Sequence, residues 1–271
     1  MRGWGTGLPN REQARHMGRE THATPPPMNP TLHQAWRGAI DVVFPRSCTN
    51  CSGLVEDGRL RHLCLRCEQT LRLVEAPYCS TCGHPFYGEL LDNRSCPHCE
   101  LLVPVFREGK TGVLLKGSGR SLINALKYHQ GLHVLEDITA IMRMVPGYVD
   151  YLRGAVLVPV PLHPRKLRER GYNQSLLLAK CCVQAVDGQA RIEELLRRVV
   201  DTVSQTHFDR VTRQENLKNA FALAPSAAIT PGQHYILVDD VFTTGSTLNA
   251  CAAILRRAGC LNLDVITFGH G

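Results

Sequence analysis

A chain of 271 residues, 44% apolar and 20% charged, has the composition of an ordinary globular protein with room for one large or two modest domains. It has no apolar run of ~18 residues and no signal-like apolar stretch near its start, which excludes a helical membrane span and a secretory leader and points to the cytoplasm. The net charge of +7 is a moderate basic excess that suits a phosphate-bearing ligand or nucleic acid without choosing between them.

Residues 1–28 read as a disordered leader by composition, with Met17 and Met28 both candidate start residues. Residues 29–103 then form the first expected structured region, an amphipathic helical pattern followed by cysteine knuckles. Eight of the twelve cysteines fall into four C-x-x-C pairs: Cys48 and Cys51, Cys64 and Cys67, Cys79 and Cys82, Cys96 and Cys99. Each pair wraps one knuckle and offers two thiolates, so four pairs make two four-cysteine zinc sites. The gaps "SGLVEDGRLRHL" and "GHPFYGELLDNRS" carry hairpin turn signals, whereas "EQTLRLVEAPY" reads as a helical turn or two before a proline break. That pattern pairs Cys48/Cys51 with Cys64/Cys67 and Cys79/Cys82 with Cys96/Cys99. Four disulfides would require a secreted chain, and a redox C-x-x-C a βαβ context, and neither is present. Sites filled by four protein ligands are structural, so no catalysis is expected from them. His62, His84 and His98, among the knuckles, read as bystanders.

Residues 104–271 are expected to alternate strands and helices. "SLINALKYHQGLHVLEDITAIMRMV" has helical spacing broken near Gly131, and "GAVLVPVPL" (154–162) is a buried strand. A helix over 173–186 starts with Asn173 as its cap. "LRRVVDTV" (196–203) is a strand candidate, and Ser204–Phe221 is a long polar stretch of the kind that forms functional loops. "YILVDD" is a strand ending at Asp239 and Asp240, followed by the loop Thr243–Thr247, the helix "STLNACAAILRRAG", and a last strand over 263–269. The alternation predicts a parallel sheet with helices on both faces and a ligand at the carboxyl ends of its strands. Cys181, Cys182, Cys251 and Cys260 read as small buried thiols.

Two adjacent carboxylates and a hydroxyl-rich loop at a helix start suit a sugar phosphate. Backbone N–H groups and the hydroxyls of Thr243, Thr244, Ser246 and Thr247 donate to phosphate, Gly245 permits close approach, and Asp239 and Asp240 accept from sugar hydroxyls or hydrated Mg²⁺. "ILVDDVFTTGST" resembles the phosphoribosyl diphosphate (PRPP) loop of type I phosphoribosyltransferases. With its zinc knuckles, the chain resembles the ComF/GntX family over about residues 31–271; "VPVPLHPRKLRERGYNQ" and "DTVSQTHFDRVTRQENLKNAF" look like that family's other signatures. The resemblance implies an α/β type I phosphoribosyltransferase-like sheet preceded by a small double zinc-ribbon domain. It implies PRPP with Mg²⁺ at Asp239–Thr247, pyrophosphate at the loop carrying Arg165, Lys166, Arg168 and Arg170, and a lid bearing Arg210, Arg213 and Lys218. Asp239, Asp240, Arg210 and Arg213 are the catalytic candidates of that reading.

One departure is informative. Thr243 stands where several purine-salvage relatives carry an Asp, which argues against purine salvage, while orotate-type enzymes also lack an acid there. Three readings follow: a phosphoribosyltransferase with an unassigned acceptor, a PRPP or nucleotide sensor without turnover, and an accessory of DNA uptake that contacts single-stranded DNA and competence proteins. Against direct DNA contact, aromatics are 6% of the chain and do not interleave with residues 165–170.

Overall fold

The computed structural model describes residues 45–86, 96–128, 130–200 and 219–271. The expected leader, the helical pattern before the first knuckle, most of the gap between Cys82 and Cys96, and Arg210, Arg213 and Lys218 lie outside them. Pro45–Gly271 forms one compact unit.

Its centre is a sheet of five parallel strands. In spatial order these are β1 (Gly109–Leu114), β7 (Asn262–His270), β6 (His234–Phe242), β2 (Val156–Pro159) and β3 (Arg191–Ile192). The apolar run at residues 156–158 shows why this sheet is parallel and doubly covered. Val156 and Val158 enter one core and Leu157 the other, because successive side chains point to opposite faces. One face is covered by α2 (Ser118–Tyr128), α3 (Leu135–Met144), α4 (Tyr148–Leu152) and α6 (Gln174–Ala185). The other carries α7 (Ser246–Arg257) and a two-stranded antiparallel ribbon of β4 (Leu196–Arg198) and β5 (Phe221–Leu223). The Asn173 cap forms as expected, its side chain accepting from Ser175 N.

The cysteine knuckles pack into this sheet. Cys48, Leu60, Leu63, Cys64 and Cys67 join the core beneath α2 and α3, while Cys79, Cys82 and Cys96 join the core beneath α7. The first ribbon is tied to α3 by buried Asp137, whose carboxylate accepts from Arg61 N at 2.6 Å and His62 N at 2.8 Å. The second lies on β1: Thr111 Oγ1 donates to Cys82 O at 2.9 Å. Gly83 has φ +71°, and a Cβ there would lie 2.5 Å from Thr111 N, so the backbones meet too closely for any side chain. Between the ribbons, Leu73 bridges to Val113 antiparallel, which covers the outer edge of β1. The chain between Cys64 and Cys79 is helical only over α1 (Leu65–Glu68).

Three expectations are corrected, and one strand was not expected. Of the 196–203 strand candidate, Leu196–Arg198 does not enter the main sheet: as β4 it pairs with β5, and the adjoining sheet strand is β3 instead, while residues 201–203 lie outside the described residues. β1 has no signal in the sequence, because Lys110, Thr111 and Gly112 break any apolar pattern and its register with Val265–Thr267 decides its membership. β6 runs two residues past the aspartate pair to Phe242, since Val241 and Phe242 still pair with Gly269 and His270. Residues Pro164–Arg170, expected as a loop, form helix α5, with Pro164 at its start and left-handed Gly171 at its end.

Candidate functional site at the carboxyl edge of the sheet

The two thiol clusters have the expected pairing: Cys48, Cys51, Cys64 and Cys67, and Cys79, Cys82, Cys96 and Cys99, each with all sulfurs within 4.8 Å of one another. Sγ atoms lie 3.7 Å apart for Cys51 and Cys64, 3.6 Å for Cys79 and Cys99, and 3.6 Å for Cys82 and Cys96. A tetrahedral ion at the zinc–sulfur distance of ~2.3 Å needs sulfurs about 3.8 Å apart, so both donor sets fit zinc. The thiols share protons unevenly: the hydrogen bond between Cys79 and Cys82 pulls Cys79 down to about 4 and pushes Cys82 up. Thiolates at neutral pH are what a cation requires.

The aspartate pair lies where β6 meets the ends of β2 and α6. Asp239 Oδ1 accepts from Ser175 Oγ and from Asp240 N, both at 2.9 Å. Burial, then the neighbouring Asp240 charge, raise its pKa to about 7, against the pull of the Asp240 N–H, the Ser175 hydroxyl and Lys127. Asp240 is 5% exposed and pairs with Lys127 Nζ at 2.9 Å; its Oδ2 has no partner among the described residues. Two carboxylates are thus held side by side with acceptor capacity to spare.

The loop beyond is short. Thr243 is exposed and Thr244 partly so; Thr244 Oγ1 and Ser246 Oγ lie 2.9 Å apart, and Ser246 and Thr247 already belong to the first turn of α7. Gly245 caps that helix at φ +71° without a side chain, and in the first turn Ser246 N donates to Thr244 Oγ1 at 3.4 Å. A Cβ on Gly245 would sit 2.5 Å from Phe242 Cζ and 2.7 Å from Leu102 Cδ2. Gly245→Ala is expected to lower stability by more than the ~1–2 kcal/mol of the left-handed backbone alone, read as a lowered urea midpoint at fixed zinc.

The structure divides the basic cluster. Lys166 and Arg170 line a cleft of about 400 Å³ together with Lys127, Tyr128, Gln130, Glu169 and Tyr172. Arg165 and Arg168 do not line it, and Arg165 pairs with Glu169 at 2.9 Å along the exposed helix. Tyr172 donates to Leu126 O, and the Arg170 guanidinium lies over the Tyr128 ring at 5.9 Å, so α2 and α5 form the two walls. Lys127, Tyr128, Ser175 and Tyr172 were missed by sequence reasoning. Tyr172 lies inside the quoted 158–174 stretch but has no charge to single it out, whereas Lys127, Tyr128 and Ser175 lie outside the quoted motifs and only the packing of α2 and α6 brings them here. The aromatics absent from the basic segment itself therefore arrive from elsewhere in the chain. Arg210 and Arg213 lie outside the described residues, but the ends of their segment are held together by Arg198–Phe221 pairing and Val199 N donating to Ala220 O at 2.8 Å.

A parallel α/β sheet with an acidic pair at its carboxyl edge, clad on opposite faces by two four-cysteine ribbons, defines a zinc-ribbon α/β protein. The double zinc ribbon domain family matches residues 39–100. The chain is 39% identical over 232 residues to competence protein F of Haemophilus influenzae, covering 82% of this chain and 96% of that one. It is 28% identical over 221 residues to DNA utilization protein YhgH of Escherichia coli K12, covering 75% and 94%, and 21% identical over 203 residues to competence protein ComFC of Bacillus subtilis, covering 73% and 79%. The chain belongs to the competence protein F family. No helix among the described residues is long and apolar enough to cross a membrane.

Proposed function

We propose that the carboxyl edge of β6 binds PRPP with Mg²⁺ and that the chain transfers its phosphoribosyl group to an acceptor nucleophile in the service of DNA uptake during competence. The observation that carries this reading is the aspartate pair with spare acceptor capacity beside a glycine-capped helix start. Thr243, Thr244, Gly245, Ser246 and Thr247 would hold the 5-phosphate through backbone N–H groups and hydroxyls. Asp239 and Asp240 would accept from the ribose hydroxyls. Lys166 and Arg170, across the cleft from Lys127, would face the diphosphate, with Arg165 and Arg168 adding to the local positive field. Arg210 and Arg213 would join them from the segment between β4 and β5. In the reaction the bond from the anomeric carbon to pyrophosphate breaks as the acceptor bonds to that carbon. The residues serve to position the donor and stabilise leaving-group charge. Mg²⁺ enters with the substrate.

A second reading rests on Tyr128, which is 70% exposed beside Arg170 and Lys166. Exposed aromatics among cations are how single-stranded nucleic acid is held without sequence preference, and the relatives' names place them in competence and DNA utilization. Calorimetric titration of the zinc-loaded chain with PRPP and Mg²⁺ separates the two. Saturable one-site heat is expected. Absence of heat from folded protein, together with steeply salt-dependent affinity for a single strand, transfers the site to DNA.

A further inference from the structure

Three histidines converge on the same edge of the sheet, outside both thiol clusters. His270 ends β7, opposite Phe242 of β6 and Leu114 of β1. His84 follows the third cysteine pair and His98 lies within the fourth. Their rings form one cluster: His84 and His98 stack with centroids 4.0 Å apart, and His270 meets each edge-on at 4.8 Å. One ligand nitrogen from each comes within 4.8 Å of the others.

We propose that His84, His98 and His270 form a third metal site, which takes a divalent zinc-class cation through three imidazoles and leaves one coordination position open. The second observation behind this is His270 itself. It is 2% exposed, and its Nε2 has no partner among the described residues. A buried polar atom is normally satisfied, and an orphaned imidazole nitrogen facing two other imidazoles has a metal ion as its natural partner. Zinc–nitrogen bonds of ~2.0–2.1 Å set tetrahedral ligand nitrogens ~3.4 Å apart, and rotation about χ2, a soft torsion in histidine, lets the rings adjust to that spacing.

Three protein ligands distinguish this site from the closed ribbons, since a position left open admits water or an anion. It also lies beside the phosphate-type loop: Gly271 N donates to Phe242 O at 3.1 Å, and a Cβ on Gly271 would lie 3.7 Å from Thr243 Cγ2. The inference does not depend on PRPP binding there.

The test is a cobalt titration of the full chain. The first two equivalents are expected to bring thiolate-to-cobalt charge-transfer absorption from the ribbons. A third should add d–d absorption with no further charge transfer. In His270→Asn and, independently, His98→Gln, the charge-transfer bands should reach full intensity while the third equivalent is lost or weakened at least ~10-fold. Saturation of the wild type at two equivalents overturns the proposal, as does a third equivalent that persists unchanged in both variants. If His270→Asn fails to develop the charge-transfer bands, it has disturbed folding and His98→Gln decides alone.

Discussion

Stripping zinc from both ribbons is expected to unfold the sheet along with the knuckles. Structural zinc contributes an apparent ~10–16 kcal/mol per site, as much as or more than the ~5–15 kcal/mol that holds a typical domain together. Here the thiols also lie inside both cores: Cys48, Cys64 and Cys67 pack with Leu122 and Ile138, and Cys79, Cys82 and Cys96 with Leu237 and Leu248. Without the ion the four sulfurs of each set are no longer tied together, and the knuckles that carry them into the two cores come loose. A chelator titration followed by circular dichroism should therefore show helix and strand signal lost in one cooperative step. Retention of the strand signal with only the knuckles melted would mean that the sheet stands without its ribbons. Single substitutions should follow burial. Cys82→Ser, at the fully buried sulfur whose carbonyl receives Thr111, is expected to be far more damaging than Cys51→Ser, at the exposed corner of the first cluster.

Asp239→Asn with Asp240→Asn is expected to reduce PRPP affinity by about 100-fold or more, since each hydrogen bond to a charged group contributes ~1.5–3 kcal/mol and each 1.4 kcal/mol is tenfold. The folded chain holds a proton on Asp239 up to about 7, whereas the unfolded carboxyl releases it near 3.8. Between those values the native state binds more protons at this site, so the stability that Asp239 itself contributes to the ligand-free protein should be lost as pH rises from about 4 to about 7. PRPP affinity should move the opposite way, rising through the same window as the carboxylate acceptor appears. Buried His62 and His270 titrate in the same window with the opposite sign, so urea unfolding should show the Asp239 contribution as a difference between wild type and Asp239→Asn alone that falls as pH rises across that range. That single variant is the cleaner test of stability, because Asp240→Asn also removes the partner of Lys127. A wild-type-minus-variant difference that stays flat across the range would show that Asp239 ionises in the folded state as it does in water.

Much of this molecule is written locally. The four C-x-x-C pairs state their chemistry by spacing, and turn signals in the intervening gaps were enough to pair them. The apolar runs at 156–159, 235–238 and 263–268 declare buried strands because a doubly covered strand needs no polar alternation. The helices at 174–185 and 246–257 show their periodicity, and Asn173 marks the first of them. Where the sequence misled, long-range pairing outweighed local pattern. Gly109–Leu114 is a strand because β7 offers it a register, and Leu196–Arg198 left the main sheet because Phe221–Leu223 was the available partner. The residues around the acidic pair divide the same way. Asp239, Asp240 and Gly245 are legible because one strand and one turn place them, a matter of a few adjacent dihedrals. Lys127 on Asp240, Ser175 on Asp239, Tyr128 under Arg170 and His270 against His84 and His98 come from segments far apart in the chain, and only tertiary packing sets those distances. By itself the sequence determined the metal ligands, the sheet type and the acidic strand end, all products of short-range geometry. The tertiary structure alone decided which cations and aromatics face that strand end, and that each ribbon packs on a different face of the sheet.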